Sequence, residues 1–279
     1  MNTETLKTSY KKNGYVVIKG LLPDDVTNRV LDDIRLSVTQ ITDWHKLTCN
    51  READNICLVK YLRRVLEEDL DLYLSILRLA SRFQSVYALT MHEKVLTILR
   101  DLGWKVLALP CGVAIHLVAD DLKIPGGYFG WAAHQDWASA QGSLDQIGLW
   151  APLMDVGRDF YPLEVIPGSH KRGVLPGDRN NANPRGAVIP IDPNLLDEDE
   201  FVSIELERGD VVIFSGLLIH RTGFGAQKGI RIACGARFDN VQDPTFIERG
   251  YPCAFRLHAE TNPIQPGFPT QDQVSSLFD

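Results

Sequence analysis

From Lys105 to Phe238 the chain breaks into nine short runs of β-branched, aromatic and apolar residues bounded by turn residues: "KVLALP", "GVAIHLVA", "WAAHQDW", "QIGLWAPLMDV", "LEVIPGSH", "GAVIPI", "FVSIELERGDVVIFSG", "LLIHRTGFG" and "IRIACGARF". Many short strands at close spacing point to a sandwich, jelly roll or barrel. One run shows the logic plainly. In "ERGDVVIFSG" a Gly-Asp turn feeds a strand whose period of two sends Val211 and Ile213 to one face and Val212 and Phe214 to the other.

Upstream the texture is helical. After a β-branched strand, "GYVVIKGLL" (14–22), Asp24 or Asp25 can cap a helix running to about Leu36, with Val26, Val30, Leu31 and Ile34 as its apolar stripe. Helical spacing resumes from Tyr61 to Leu89, and a further helix covers His92–Asp101 before Gly103. No Pro/Gly/Ser linker and no internal repeat divides the 279 residues. The expectation is one α+β unit, mainly β: a helix-rich part (1–103), a jelly-roll core (about 104–240) with the helices packed on one face, and a C-terminal extension (241–279).

Charge and cysteine usage exclude several function classes. The formal net charge is −7 and no Lys/Arg run occurs, so neither nucleic acid nor an anionic membrane is the expected partner; a small molecule is. The five cysteines are scattered with no CxxC pair, which fits reduced thiols and a cytoplasmic protein. No run approaches the ~20 apolar residues of a membrane span. The first residues lack a signal-peptide core, and "SSLFD" is no peroxisomal or lipidation signal.

Within the β region, "GGYFGWAAHQDWASAQGS" (126–143) sets His134 and Asp136 two residues apart. On a strand, residues i and i+2 share a face, so an imidazole and a carboxylate lie side by side. This suits a metal site, a catalytic pair or a wet strand edge. Downstream, His220 ends an apolar run with Thr222 two residues on, and Arg231 opens the last strand. Two histidines and one carboxylate, with half the coordination sphere open, form the facial triad associated with non-haem Fe(II) oxygenases. An arginine on a neighbouring strand supplies a planar fork that grips a carboxylate bidentately.

In this combination the chain resembles the phytanoyl-CoA dioxygenase family of Fe(II)/2-oxoglutarate oxygenases. The matching pieces are "NGYVVIKGLLPDD", "HQD" (134–136), "GLWAPLMD" (148–155), "VIPGSHKRG" (165–173), "GDVVIFSGLLIHRTG" (209–223) and Arg231. The resemblance implies a double-stranded β-helix core of the jelly-roll, cupin-like kind. It implies Fe(II) as cofactor, held by His134, Asp136 and His220, with 2-oxoglutarate and O₂ as co-substrates. Arg231 and Thr222 would hold the distal carboxylate of 2-oxoglutarate, Trp150 would line its pocket, and His116 would sit near it. The implied activity is hydroxylation, or another oxidation of a C–H bond, in a small soluble metabolite, saccharide or natural-product intermediate, with release of succinate and CO₂. Related halogenases carry a small residue where Asp136 stands, so the carboxylate argues against halide transfer.

Two loops depart from the family. "DVGRDFYPLEVIPGSH" has Tyr161-Pro162 where relatives often carry Asn-Gly, and Arg221 follows the distal His where they often carry Gly. Both alter the rim and weaken any transfer of substrate identity. Candidates for the substrate pocket are Tyr128, Trp131, Gln135, Trp137, Arg158 and Tyr161, an aromatic set with a few polar groups. The alternatives are a cupin-like metal-binding isomerase and a non-catalytic ligand-binding jelly roll. Cupins usually cluster His-x-His with Glu, a pattern this chain lacks.

Overall fold

A computed structural model describes residues 3–44, 55–119, 122, 130–177, 188–225, 229–256 and 265–279. Its β elements are β1 (Tyr15–Ile18), β2 (Leu107–Ala108), β3 (Ala114–Ala119), β4 (Ile147–Pro152), β5 (Leu163–Val165), β6 (Val202–Ile204), β7 (Val211–Ser215), β8 (His220–Thr222) and β9 (Ile230–Asn240). They form two antiparallel sheets. The larger runs β1-β7-β4-β9-β2, with β3 also on β9; the smaller runs β6-β5-β8. β9, the longest at 11 residues, is the spine. β4 pairs with one of its edges, Ile147 opposite Phe238, and β3 with the other, Ala114 opposite Gly235.

Period-two alternation divides the large sheet between two cores. Val211, Ile213, Ile230, Ile232, Cys234, Ala236 and Phe238 face the helices. Val212, Phe214, Trp150 and Ala233 face the small sheet, where they meet Leu163, Val165, Ile204 and Leu206. The split read from "DVVIFSG" is therefore the one the structure has. Each Val, Leu, Ile or Phe among them, fully buried, contributes roughly 1.5–3 kcal/mol.

The helices α1 (Thr3–Asn13), α2 (Asp24–Trp44), α3 (Asn55–Glu68), α4 (Leu70–Ala80), α5 (Gln84–Thr90) and α6 (Glu93–Leu102) contribute to the outer core. α2 starts after Pro23 as expected but continues past Leu36 to Trp44, because Val38 extends its buried stripe. The helical spacing of 61–89 is not one rod. Asp69 accepts the Leu72 N–H at 2.9 Å and caps α4, and a turn at Ser81–Phe83 separates α5. α6 ends at Gly103, whose φ of +123° a side chain would resist.

Two expected strands differ. Of "GAVIPI", residues 188–191 are described, and these form only isolated bridges, through Pro190 to His134 and Ile191 to Gly177. "WAAHQDW" is an isolated bridge at His134 followed by a helix, α7 (Asp136–Ala140). The Trp137 side chain packs with Leu144, Leu217 and Val274, and its backbone N–H donates to the Gly216 carbonyl at 2.9 Å. Burial of the indole outweighs the local alternation. Two more helices, α8 (Pro244–Glu248) and α9 (Gln271–Ser275), follow the last strand.

Candidate metal centre

His134 and His220 are brought together by the backbone. Each N–H donates to the other's carbonyl, at 3.0 and 3.1 Å, so the two residues form a directly opposed antiparallel pair. Their rings consequently share a face, with centroids 4.1 Å apart. β8 anchors His220 against Val165 of β5. Gln135 is extended (φ −118°, ψ 127°), and this one residue returns Asp136 to the side of His134 before α7 begins. The convergence of i and i+2 thus survives, though Asp136 is the first residue of a helix rather than a strand residue.

His134 Nε2 lies 3.5 Å from Asp136 Oδ1, and His220 Nε2 3.9 Å from the same oxygen. Ligand atoms of all three lie within 4.8 Å of one another, and all three residues are buried. The imidazoles are oriented by carbonyls: His134 Nδ1 meets Ala132 O at 2.7 Å and His220 Nδ1 meets Leu218 O at 3.0 Å. A carbonyl only accepts, so each Nδ1 carries the proton and each Nε2 turns its lone pair inward. This backbone support of ring orientation is what metal-ligating histidines require. With one carboxylate and no thiolate ligand, the donor set fits a hard or borderline divalent ion with open positions, such as Fe(II).

Electrostatics agree. Burial, then the neighbouring His134, pushes the His220 imidazole down to about 3, so it stays neutral. Burial alone would raise the Asp136 carboxyl. The Arg237 guanidinium beside it holds it well below the usual carboxylate range. Arg237 donates a hydrogen bond directly to Asp136 Oδ1.

The triad opens into a small cavity of about 50 Å³. Arg231, Thr222, Trp150 and His116 line it with the triad. The Arg231 guanidinium stands 5.3 Å from the Trp150 ring centroid. Thr222 Oγ1 accepts the Trp131 N–H at 3.0 Å, which leaves its own proton to donate. Trp131 also lines the cavity, and its indole N–H reaches His116 Nδ1 at 3.4 Å. Burial, then the Arg231 charge, lowers the His116 imidazole to about 3.

Other pocket candidates lie elsewhere. Gln135 donates to Gly173 O and Leu217 O and accepts from Leu175 N, a bracing role away from the cavity. Trp137 belongs to the core over α9. Tyr161 is buried between Phe160 and Phe224, and Arg158 is exposed beside Glu205 at 3.8 Å. Tyr128 lies outside the described residues. Arg221 lines the rim, clamped to Glu164 at 2.7 Å and stacked 3.7 Å over Phe201. Sequence reading missed Arg237 and Cys111. Arg237 was findable: it is an even number of residues from Arg231 on one strand, so both share a face.

The family model for phytanoyl-CoA dioxygenase (PhyH) matches residues 10–233. "Phytanoyl-CoA dioxygenase, peroxisomal" of Homo sapiens is 25% identical over 244 residues, covering 82% of this chain and 66% of that protein. The Bos taurus protein of the same name is 24% identical over the same shares. The chain thus spans about 66% of the length of these relatives. Among solved structures, the epimerase SnoN in complex with Fe3+, alpha ketoglutarate and nogalamycin RO superposes with a TM-score of 0.55 at 17% identity, over 85% of this chain and 83% of that one. EctD from S. alaskensis gives 0.53 at 14%, over 87% and 78%. At such identities the likeness concerns the fold, a double-stranded β-helix whose sheets pack without closing into a barrel.

Proposed function

The chain belongs to the phytanoyl-CoA dioxygenase family, and on that premise we propose that it is a non-haem Fe(II)- and 2-oxoglutarate-dependent dioxygenase. Its substrate is a small soluble metabolite, saccharide or natural-product intermediate, oxidised at a C–H bond, most simply by hydroxylation. The observation that carries this reading is the convergence of His134 Nε2, His220 Nε2 and Asp136 Oδ1, each imidazole aimed inward by a backbone carbonyl.

When bound, Fe(II) couples reduction of O₂ to decarboxylation of 2-oxoglutarate into succinate and CO₂ and to oxidation of the substrate C–H bond. The protein's part is to hold and orient. His134, Asp136 and His220 would hold the ion, and three protein ligands would leave positions open for the co-substrate and O₂. Arg231 offers a two-pronged grip for the distal carboxylate of 2-oxoglutarate, and the Thr222 hydroxyl adds a third donor. Trp150 packs beside Arg231 and limits water there. Trp131 ties Thr222 to His116 and fixes that wall. Asp136 fills the position that a halide would need. Cys111, Cys234 and Cys253 are free thiols, which supports a cytoplasmic setting. No helix among the described residues is long and apolar enough to cross a membrane.

The test is uncoupled turnover. Purified protein given Fe(II), ascorbate and 2-oxoglutarate in air should release succinate slowly without any other substrate. Under anaerobic conditions the same mixture should show a weak visible charge-transfer band. No succinate, no band and no 2-oxoglutarate binding by calorimetry would overturn the assignment. The cupin-like alternative separates at Arg231→Ala, which an isomerase would tolerate.

A further inference from the structure

Beyond its hydrogen bond to Asp136, Arg237 is a charged group of the cavity to which this chemistry gives no ligand. It lies on the same face of β9 as Arg231, because Ile230, Ile232, Cys234, Ala236 and Phe238 all take the helix side. Six residues of strand set the two α-carbons about 20 Å apart. Ala233 and Gly235 between them keep the floor low.

The Arg237 fork is only partly used. One terminal nitrogen donates to Asp136 and the other approaches Cys111 Sγ, a weak acceptor, at 3.8 Å. Its Nε is buried with no hydrogen-bond partner among the described residues. A buried guanidinium N–H without an acceptor is unfavourable unless something bound supplies one. Cys111 and Gly112 line both the metal cavity and an adjoining cleft walled by Tyr87, Leu109, Pro110 and Phe255. Leu109 and Tyr87 are exposed there.

We propose that the prime substrate is an apolar or aromatic carboxylic acid that enters past Cys111 and Gly112. Its carboxylate is received by Arg237, and its apolar body lies in the cleft of Tyr87, Leu109 and Phe255. The proposal rests on the dioxygenase reading. It adds that the two arginines of β9 divide the acids between them, Arg231 taking the co-substrate and Arg237 the substrate.

The experiment uses full-length protein loaded with Mn(II) and saturated with N-oxalylglycine, an inert analogue of 2-oxoglutarate. The probes are 3-phenylpropionate and its uncharged amide, followed by calorimetry and by the relaxation that Mn(II) imposes on the probe protons. Wild-type protein should bind the acid at least about tenfold more tightly than the amide, the difference expected of a charge-assisted hydrogen bond. Arg237→Met should abolish the preference, while Arg237→Lys keeps part of it. Gly112→Leu should weaken both probes severalfold with Mn(II) affinity retained. A Cβ at Gly112 meets only Tyr87 Oη at 3.5 Å, so the larger side chain has room. Equal affinities of wild-type protein for acid and amide would overturn the proposal, as would a preference that survives in Arg237→Met. So would loss of 2-oxoglutarate binding in Arg237→Met as large as in Arg231→Met, which would give Arg237 to the co-substrate. If Arg237→Met does not fold, the wild-type comparison and Gly112→Leu decide. Failure of the dioxygenase reading looks different: wild-type protein would not take up Mn(II) or N-oxalylglycine before any probe is added.

Discussion

The guanidinium of Arg237 donates a hydrogen bond to the carboxylate of Asp136, joining the last long strand to the first turn of α7 across the mouth of the cavity. Arg231 faces the same cavity from that strand. Among the described residues three guanidinium groups, of Arg221, Arg231 and Arg237, and one carboxylate, Asp136, line the cavity with a neutral His220, so this lining carries more positive than negative charge before any cation enters. Such a site selects anions.

Loss of any triad member should remove the metal. His134→Ala, Asp136→Ala and His220→Ala are each expected to weaken Mn(II) or Co(II) binding by more than about 100-fold in calorimetry, since loss of a group that merely hydrogen-bonds to a ligand already costs metal sites about 10–100-fold. Any one of the three that binds as wild type would remove its residue from the coordination set.

Arg231→Ala should lower 2-oxoglutarate affinity by about 30–100-fold, in line with a hydrogen-bonded charge pair of about 2–3 kcal/mol. Arg231→Lys should recover only part, because an ammonium lacks the planar fork. Titration of 2-oxoglutarate into Mn(II)-loaded protein measures both; an unchanged Kd in the alanine variant would place the carboxylate elsewhere.

Gly235→Ala should destabilise the fold. An added Cβ would sit 2.5 Å from His116 Nε2, and strand pairing on both edges leaves the backbone no retreat. Overpacking of this kind costs about 1–3 kcal/mol. A thermal melt should show Tm lower by several degrees. A melt superimposable on wild type would mean that His116 moves freely.

Asp145 sets a pH dependence. Burial, opposed by the Asn240 hydrogen bond at 2.8 Å, raises its carboxyl to about 6. The folded chain then holds that proton more tightly than the unfolded chain, so stability falls as pH rises from about 4 to about 6 and its contribution levels off above. Asp145→Asn should match wild type near pH 4 and exceed it by on the order of 1–2 kcal/mol at pH 7.5. Denaturant melts at the two pH values test this; an equal difference at both would contradict it.

Much of the fold was readable locally. The alternation Val211/Ile213 against Val212/Phe214 needs only the period of a strand, and the two cores divide along it. The breaks inside 61–89 were not, because leucines at helical spacing continue across Asp69, and only the cap at Leu72 shows that the rod ends. The helix at Asp136 was equally hidden, since the pull on Trp137 comes from Leu217 and Val274, far along the chain.

At the metal centre the amino-acid sequence alone determined the donor types, the return of Asp136 to the side of His134, and the candidacy of Arg231 on the last strand. These depend on side-chain chemistry and on dihedral preferences within a few residues. Tertiary structure alone decided that His134 pairs with His220, that Gln135 and Trp137 brace the core instead of lining the cavity, and that Arg237 reaches Asp136. Those facts depend on which strands become neighbours. Packing and hydrogen bonding of the whole chain settle that choice, and no local period encodes it.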